Sequence, residues 1–154
     1  EVVRLEESYG GQFLSLEARL ADPTIRGEAR QDDTAELAAN VAKFAEEVRE
    51  RSETWLGRLK PIRHDRQRVV IWGGGAKSVS FLNLLQIGDE IPYVVDINPH
   101  KQGRHLPGTG QKIIAPDFLR DYRPGLVILM NPIYRDEVKA QLEKLGVTAK
   151  LLDA

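Results

Sequence analysis

The sequence contains no cysteine among its 154 residues. This absence excludes disulfide bonds, thiolate nucleophiles, iron–sulfur clusters and the cysteine-rich class of zinc sites. Only three histidines are present, which leaves little material for a metal site with imidazole ligands. No apolar run approaches the roughly 18 residues of a membrane-spanning helix, and no signal peptide is apparent. We therefore predict a cytoplasmic protein with no membrane partner and no metal site.

The sequence also has almost no net charge, because 22 Lys and Arg residues face 23 Asp and Glu residues. Non-specific binding to nucleic acid or to anionic membranes requires a basic excess, so we predict no nucleic-acid partner. Methionine occurs once, at Met130, and the chain begins with Glu1. Because translation starts at methionine, we expect the sequence to be part of a longer or processed protein.

The first thirty residues predict one strand and a linker. Apolar and polar residues alternate over residues 12–20, after the glycines at 10–11, which is typical of a half-buried strand. Residues 21–32 contain proline, glycine and several charges, as linkers often do. Because a strand needs partners along its edges, we interpret residues 1–30 as the tail strand and linker of a preceding domain, or the strand as an arm that pairs elsewhere.

Residues 31–60 predict a single long amphipathic helix that connects this tail to the next domain. Asp33 is a suitable N-cap, and Pro61 is expected to end the helix. Apolar residues recur at spacings of three, four or seven and form one stripe, made of Leu37, Val41, Phe44, Val48, Trp55 and Leu59. The stripe suits a helix that packs on the next domain, or a coiled-coil dimer. We favour the first, since sustained coiled coils usually extend over three or four heptads.

Short apolar strands alternate with helical segments from residue 66 onward. Strands are predicted at residues 69–72, 92–96, 112–114, 126–130 and 148–152. Helices are predicted at residues 76–87, 116–122 and 134–145. Right-handed βαβ units produce this alternation and place the strands in a parallel sheet. We therefore predict an α/β fold with a Rossmann-like parallel sheet flanked by helices over residues 66–154, preceded by the long helix and the N-terminal strand.

The strongest local motif is VVIWGGGAKS at residues 69–78, where a strand runs into glycines and a helix begins at once. Such a loop can present backbone N–H groups and a helix N-terminus to a phosphate. The candidate ligand-binding residues of this loop are Gly73, Gly75, Ala76, Lys77 and Ser78. Asp96 ends the next strand, where an acid would accept hydrogen bonds from a ribose. The glycines equally suit a βα turn that only packs the helix on the sheet.

Two other nucleotide motifs do not match this loop. A P-loop requires a glycine where Val70 stands. The first motif of ordinary S-adenosylmethionine (SAM) binders, [DE]-x-G-x-G-x-G, would need an acid at Ile71 and a glycine at Lys77. The loop is therefore not predicted to bind SAM.

Two further segments follow predicted strand ends, where open α/β sheets bind ligands. The segment DINPHKQGRHLPGTGQ, residues 96–111, has cations that suit a diphosphate, or it is a solvated loop. Its candidate residues are Asp96, Asn98, His100, Lys101, Gln102, Gly103, Pro107, Gly108 and Thr109. The segment MNPIYRDE, residues 130–137, offers Asn131 and Tyr134 to a base or sugar, unless Asn131 only caps the next helix. No catalytic set is convincing, so we predict no catalytic residue.

Three strings of the sequence resemble the C-terminal domain of a family of SAM-dependent C-methyltransferases: VVIWGGGAKSVSFLNLL, YVVDINPHKQGRHLPGTGQKIIAP and LVILMNPIYRDEVKAQLEKLGV. Members of this family methylate the sugar of deoxythymidine-diphosphate sugars in antibiotic biosynthesis. The resemblance covers about residues 66–150. The string YGGQFLSLEARL also resembles the end of the family's middle domain, where H-G-G is more usual than Tyr9-Gly10-Gly11.

The resemblance implies a parent protein of three parts. An N-terminal part binds zinc through cysteines, a middle domain binds SAM and carries the catalytic residues, and the C-terminal domain helps to hold the nucleotide sugar. This chain would be the last part with its lead-in helix, and residues 1–30 would be the tail strand and linker of the preceding methyltransferase domain, which is missing here. Alone, the chain would be inactive and would have no cofactor of its own. Its glycine loop would face the ligand's phosphates, although the family's usual G-A-G-x-K-G differs here at Gly74 and Ser78.

Asp96 fits the resemblance less well, because deoxythymidine has no 2′-hydroxyl for this acid to bind. Asp96 would then bind another part of the ligand, or only order its own loop.

Two other functions remain open at the level of sequence. One is a stand-alone Rossmann module that binds a nucleotide, nucleotide sugar or coenzyme A without a methyltransferase role. The pattern G-x-G followed by D-x-N-P-x-K-x-G also resembles the nucleotide-sugar-binding domain of sugar O-acyltransferases. The other is part of an NAD(P)-dependent oxidoreductase, which predicts that the chain binds NAD through Asp96. A cysteine cluster and a D-x-G-x-G motif upstream would favour the methyltransferase.

Overall fold

The computed structural model describes residues 1–21, 33–65 and 67–154. These residues divide into two compact units, Glu1–Val41 and Ala42–Ala154. The predicted linker, residues 21–32, lies outside the described residues except for Ala21. The predicted domain boundaries at residues 30 and 60 remain predictions. No helix in the described ranges is long and apolar enough to cross a membrane.

The N-terminal unit begins with an antiparallel hairpin of β1 (Val2–Ser8) and β2 (Phe13–Ala18). The predicted strand over residues 12–20 therefore corresponds to β2, which pairs with the strand just before it in the chain. That strand, β1, was not predicted because its sequence contains several charged residues. The prediction of half burial is wrong for this hairpin, because every residue of β2 is exposed. Cross-strand pairing places Leu5 opposite Leu16, so the alternation reflects an apolar face of the hairpin.

The long helix α1 spans Thr34–His64 and begins directly after Asp33, as predicted. The predicted stop at Pro61 is wrong, because Pro61 lies inside the helix. A proline removes one backbone hydrogen bond, and here it does so only at the start of the last turn. The carbonyl of Pro61 still accepts a hydrogen bond from the Asp65 N–H at 2.9 Å.

The second unit is built on a five-stranded parallel sheet with the strand order β5-β4-β3-β6-β7. Its strands are β3 (Val69–Trp72), β4 (Tyr93–Val95), β5 (Lys112–Ile114), β6 (Leu126–Leu129) and β7 (Lys150–Asp153). The helices between them are α2 (Ala76–Leu84), α3 (Leu119–Tyr122) and α4 (Arg135–Leu145). Short 3-10 helices precede α3, at Pro116–Phe118, and α4, at Pro132–Tyr134. The predicted α/β fold with a parallel sheet flanked by helices is confirmed.

Both faces of the sheet are buried, which explains why its strands are continuous apolar runs. Alternate residues of a strand point to opposite faces. Val69 and Ile71 of β3 belong to one apolar layer, which also contains Trp55 and Leu59 of α1 and Leu82 of α2. Val70 and Trp72 belong to the other, which also contains Leu119 of α3 and Val138, Leu142 and Leu145 of α4.

An aromatic cluster of Tyr93, Phe118 and Tyr122 packs at the second layer, with the two tyrosine rings 5.0 Å apart. Burial raises the pKa of Tyr122 above its ordinary value of 10.0. The nearby Tyr93 raises the pKa of Tyr122 further, and the Arg68 guanidinium acts in the opposite direction. The folded protein therefore binds the phenolic proton of Tyr122 more tightly than the unfolded chain does.

This raised pKa predicts a contribution to stability that is complete below pH 10 and is lost as pH rises through the folded-state pKa. The variant Tyr122→Phe should therefore show a shallower fall in melting temperature between about pH 8 and pH 11 than the parent chain. Calorimetric melts across this range measure the slope. Tyr9→Phe, at an exposed tyrosine of the hairpin, serves as control and should keep the parent slope. Equal slopes in both variants would contradict the prediction.

Candidate functional site

The strand order places a topological switch point at β3, because the chain continues from β3 to β4 on one side and returns to β6 on the other. Open α/β sheets bind ligands outside the carboxyl ends of the strands at such a point. A crevice of about 500 Å³ lies there. Its lining consists of Trp72, Gly73, Asp96, Ile97, Leu129, Met130, Asn131, Tyr134, Glu137, Val138 and Gln141.

The glycine loop after β3 depends on two of its glycines. Gly73 has a φ of 110°, which side chains rarely allow, and its N–H donates to the carbonyl of Val95 at 2.8 Å. Gly74 lies so close to Asp96 that a Cβ atom would be 2.9 Å from the carboxylate Oδ2. A side chain at either position would disturb the contact between the loop and the end of β4.

The remaining predicted residues of this loop divide into exposed and buried positions. Gly75, Ala76 and Lys77 are exposed at the start of α2, where Gly75 is the N-cap and offers no side chain. Ser78 is fully buried, and its hydroxyl donates to the carbonyl of Gly73. The Ser78 side chain therefore holds the loop, whereas the backbone at 75–77 is open to a ligand.

Asp96 is the centre of a hydrogen-bond network that joins two loops. Its Oδ2 accepts from the Gly74 N–H at 3.0 Å and from Lys101 Nζ at 3.1 Å, and its Oδ1 accepts from the Asn98 N–H at 2.8 Å. Lys101 Nζ also donates to the Gly74 carbonyl at 3.0 Å. A carboxylate has about four acceptor sites, so one remains, which is too few for the paired hydroxyls of a ribose. The geometry favours Asp96 as a residue that orders its own loop.

The other polar residues after β4 form the turn that this network supports. Gln102 Nε2 donates to the Asp96 carbonyl at 2.9 Å, and the Asn98 side chain accepts from the His100 N–H at 3.0 Å. His100 is exposed, and Gly103 N–H donates to the carbonyl of Ile113 at 2.8 Å. The predicted residues from 96 to 103 therefore lie together at the carboxyl edge of the sheet, next to the glycine loop.

The structure does not bring Pro107, Gly108 and Thr109 to this edge. The carbonyl of Pro107 accepts from Asn83 Nδ2 at 3.2 Å, and Gly108 lies against the same Asn83 side chain. Asn83 belongs to the last turn of α2, whereas the glycine loop precedes its first turn. Between His105 and Lys112, which form an isolated antiparallel bridge, the segment turns back toward α2.

Asn131 and Tyr134 both line the crevice, as expected for residues that follow β6. Asn131 occupies the N-cap of the 3-10 helix, but its side chain makes no capping hydrogen bond. The alternative that this side chain serves only as a cap is therefore not supported. The Tyr134 side chain is about half exposed at the crevice, and its backbone N–H donates to the Asn131 carbonyl at 3.1 Å.

Sequence reasoning missed several lining residues, of which Glu137 and Gln141 on α4 are the polar ones. The signal was present, because Tyr134, Glu137 and Gln141 follow one another at spacings of three and four, which place them on one helix face. With Asn131, these side chains give the mostly apolar crevice four polar groups along one side. Within the described part of the chain, no three histidine or carboxylate side chains approach one another as a metal site requires.

Comparison with known proteins identifies the family. No curated protein matches the chain. The family model for the C-methyltransferase C-terminal domain matches residues 16–150, which include α1, four complete strands of the parallel sheet, the first residue of β7 and every residue of the crevice. The chain therefore belongs to the family of C-methyltransferase C-terminal domains.

Proposed function

We propose that this chain is the substrate-holding, non-catalytic domain of a SAM-dependent C-methyltransferase, and that it binds a nucleotide-diphosphate sugar such as a deoxythymidine-diphosphate sugar. The observation that carries the proposal is the crevice at the switch point of the sheet. Its volume of about 500 Å³ lies within the range of small-molecule sites, roughly 300–1,000 Å³. Family membership supports the connection to methyl transfer.

The lining of the crevice supports a nucleoside as its occupant. Small-molecule sites combine apolar walls with a few placed polar groups. Here Trp72, Ile97 and Met130 supply apolar surface, and the amide, phenol and carboxylate groups come from the side after β6 and from α4. A flat base with carbonyl and N–H groups can pack on such walls and exchange hydrogen bonds along that side.

The hydrogen bonds of Asp96 bear on the choice between NAD and a deoxythymidine ligand. An NAD-binding domain uses an acid at this position to accept bonds from both ribose hydroxyls. Because Asp96 is largely occupied by Gly74, Asn98 and Lys101, NAD recognition through this residue is disfavoured. A deoxyribose, which has no 2′-hydroxyl, makes no such demand.

The proposal assigns the remaining components of the reaction to other parts of the enzyme. SAM, zinc and the catalytic acid and base groups would belong to the domains implied by the family resemblance, and these domains would be partners of this one. The chain alone should hold the nucleotide sugar but transfer no methyl group. Methyl transfer by the isolated chain, measured with radioactive SAM, would contradict the proposal.

Titration calorimetry tests the binding itself with deoxythymidine diphosphate, a deoxythymidine-diphosphate sugar, SAM, NAD and coenzyme A. We expect heat of binding for the two deoxythymidine ligands only. Tyr134→Ala should weaken their binding by about threefold to tenfold, the effect of one lost hydrogen bond and its ring contact.

Ile133→Ala is the matched control, because Ile133 is the exposed neighbour of Tyr134 and does not line the crevice. It should bind both deoxythymidine ligands as the parent chain does. Binding of NAD or coenzyme A alone would favour a stand-alone binding module over a methyltransferase domain.

A further inference from the structure

A second cavity, of about 510 Å³, lies beside the crevice on the side of α1 and α2. The two share Met130, the residue that follows β6. The second cavity is lined by Arg51, Ala76, Lys77, Ser80, Phe81, Met130, Pro132 and Ala154. We name it the cationic cavity, since Arg51 and Lys77 are its two charged side chains among the described residues.

The charge of the two cavities differs in sign. In residues 1–21, 33–65 and 67–154, neither Arg51 nor Lys77 forms an ion pair, so both cations are available to an anion. The crevice instead carries the carboxylate of Glu137, together with that of Asp96, which pairs with Lys101. A phosphate in the crevice would face like charge, whereas in the cationic cavity it would face opposite charge.

We propose that Arg51 and Lys77 bind the diphosphate of the ligand, while the crevice holds its nucleoside. This inference rests on the proposed function and adds the direction in which the nucleotide lies, across Met130 with its phosphates toward α1. An arginine guanidinium can donate two parallel hydrogen bonds to one phosphate, and a lysine ammonium adds a point charge to the next. The hydroxyl of Ser80 offers a further donor in the same cavity.

Sequence reasoning identified Lys77 as a candidate but not Arg51, because Arg51 lies on α1, well before the glycine loop. The sequence does contain one signal that could have identified Arg51, which is its position in the apolar stripe of α1. Arg51 stands between Val48 and Trp55 at spacings of three and four, where a further apolar residue would continue the stripe.

Inorganic pyrophosphate is the probe for the anion site, because it carries the diphosphate without base or sugar. Calorimetry with the whole chain should detect its binding, and NMR of the labelled chain should show shifts at residues 76–78 and at the Arg51 side chain. Arg51→Gln and Lys77→Gln should each weaken binding by about tenfold, as expected when a charged hydrogen bond is lost.

Arg49→Gln is the matched control, since Arg49 lies on the same helix and pairs with Glu46 outside the cavity. It should leave pyrophosphate affinity within about twofold of the parent value. Glu137→Gln tests the alternative that the phosphates lie in the crevice, where the Glu137 carboxylate would repel them. A gain in pyrophosphate affinity in Glu137→Gln would place the phosphates in the crevice and overturn the proposed direction.

The outcomes separate this inference from the proposed function. Absence of pyrophosphate binding, or equal binding by the parent and Arg51→Gln, overturns the inference. If deoxythymidine diphosphate binds tightly and equally to both, the proposed function stands while the role of Arg51 fails. If pyrophosphate binding depends on Arg51 but deoxythymidine diphosphate binds no more tightly than pyrophosphate, the anion site stands and the nucleotide function fails.

Discussion

Replacing Trp55 of α1 by alanine should lower the free energy of unfolding by about 3–5 kcal/mol, the range for deletion of a large buried aromatic side chain. Trp55 is only 4% exposed and packs in the first apolar layer of the sheet. Its ring meets that of Phe81 edge to face at 5.0 Å, and the Arg58 guanidinium lies 5.2 Å from its centroid. Denaturation with urea, followed by circular dichroism, measures the change.

Phe44→Ala provides the comparison on the same helix and in the same apolar stripe. Phe44 is 66% exposed, so its removal should change the unfolding free energy by no more than about 0.5 kcal/mol. Similar losses in the two variants would mean that α1 is not attached to the sheet through Trp55. A large loss in Phe44→Ala alone would show that the exposed part of the stripe is covered in solution.

The second large effect is expected for Asp96→Ala. The substitution leaves the buried Gly74 N–H, the Asn98 N–H and the Lys101 ammonium without their carboxylate. Unsatisfied buried donors cost about 1–3 kcal/mol each, and water can reach the half-exposed lysine. We therefore expect a loss of roughly 2–4 kcal/mol in unfolding free energy, measured in the same urea experiment.

Asp89→Ala serves as control, because Asp89 is an exposed acid of the same unit. Its variant should retain nearly the full stability. Asp96→Ala should in addition lose pyrophosphate affinity, since the glycine loop that adjoins Lys77 would no longer be fixed to β4. Unchanged stability in Asp96→Ala would show that the network does not order the loop.

Much of the sheet could be predicted because its strands have no polar face. Val69–Trp72 and Leu126–Leu129 are buried at every position, so their sequences are uninterrupted apolar runs between turn residues. Helix ends were harder to predict from the sequence. The helix predicted over residues 76–87 ends at Leu84, since Gln86 has a φ of 54° that no helix accommodates.

The location of the candidate site could be predicted from the sequence, but several of the residues that line it could not. Strand ends indicated the crevice through Gly73, Asn131 and Tyr134, whose places follow from local spacing. The far position of Pro107 depends on how a long loop folds back onto α2, which no local pattern encodes. The binding roles of all predicted residues remain predictions.

Pairing in the centre of the sheet joins distant parts of the chain, since Val69–Trp72 lies beside Leu126–Leu129. Contacts so far apart in sequence are slow to form, because a long loop must close before any of them stabilises the chain. During synthesis, β3 therefore cannot pair with β6 until most of the domain has been made. Protease-resistant nascent chains should consequently appear only once β6 and α4 have left the ribosome, and shorter products should be degraded.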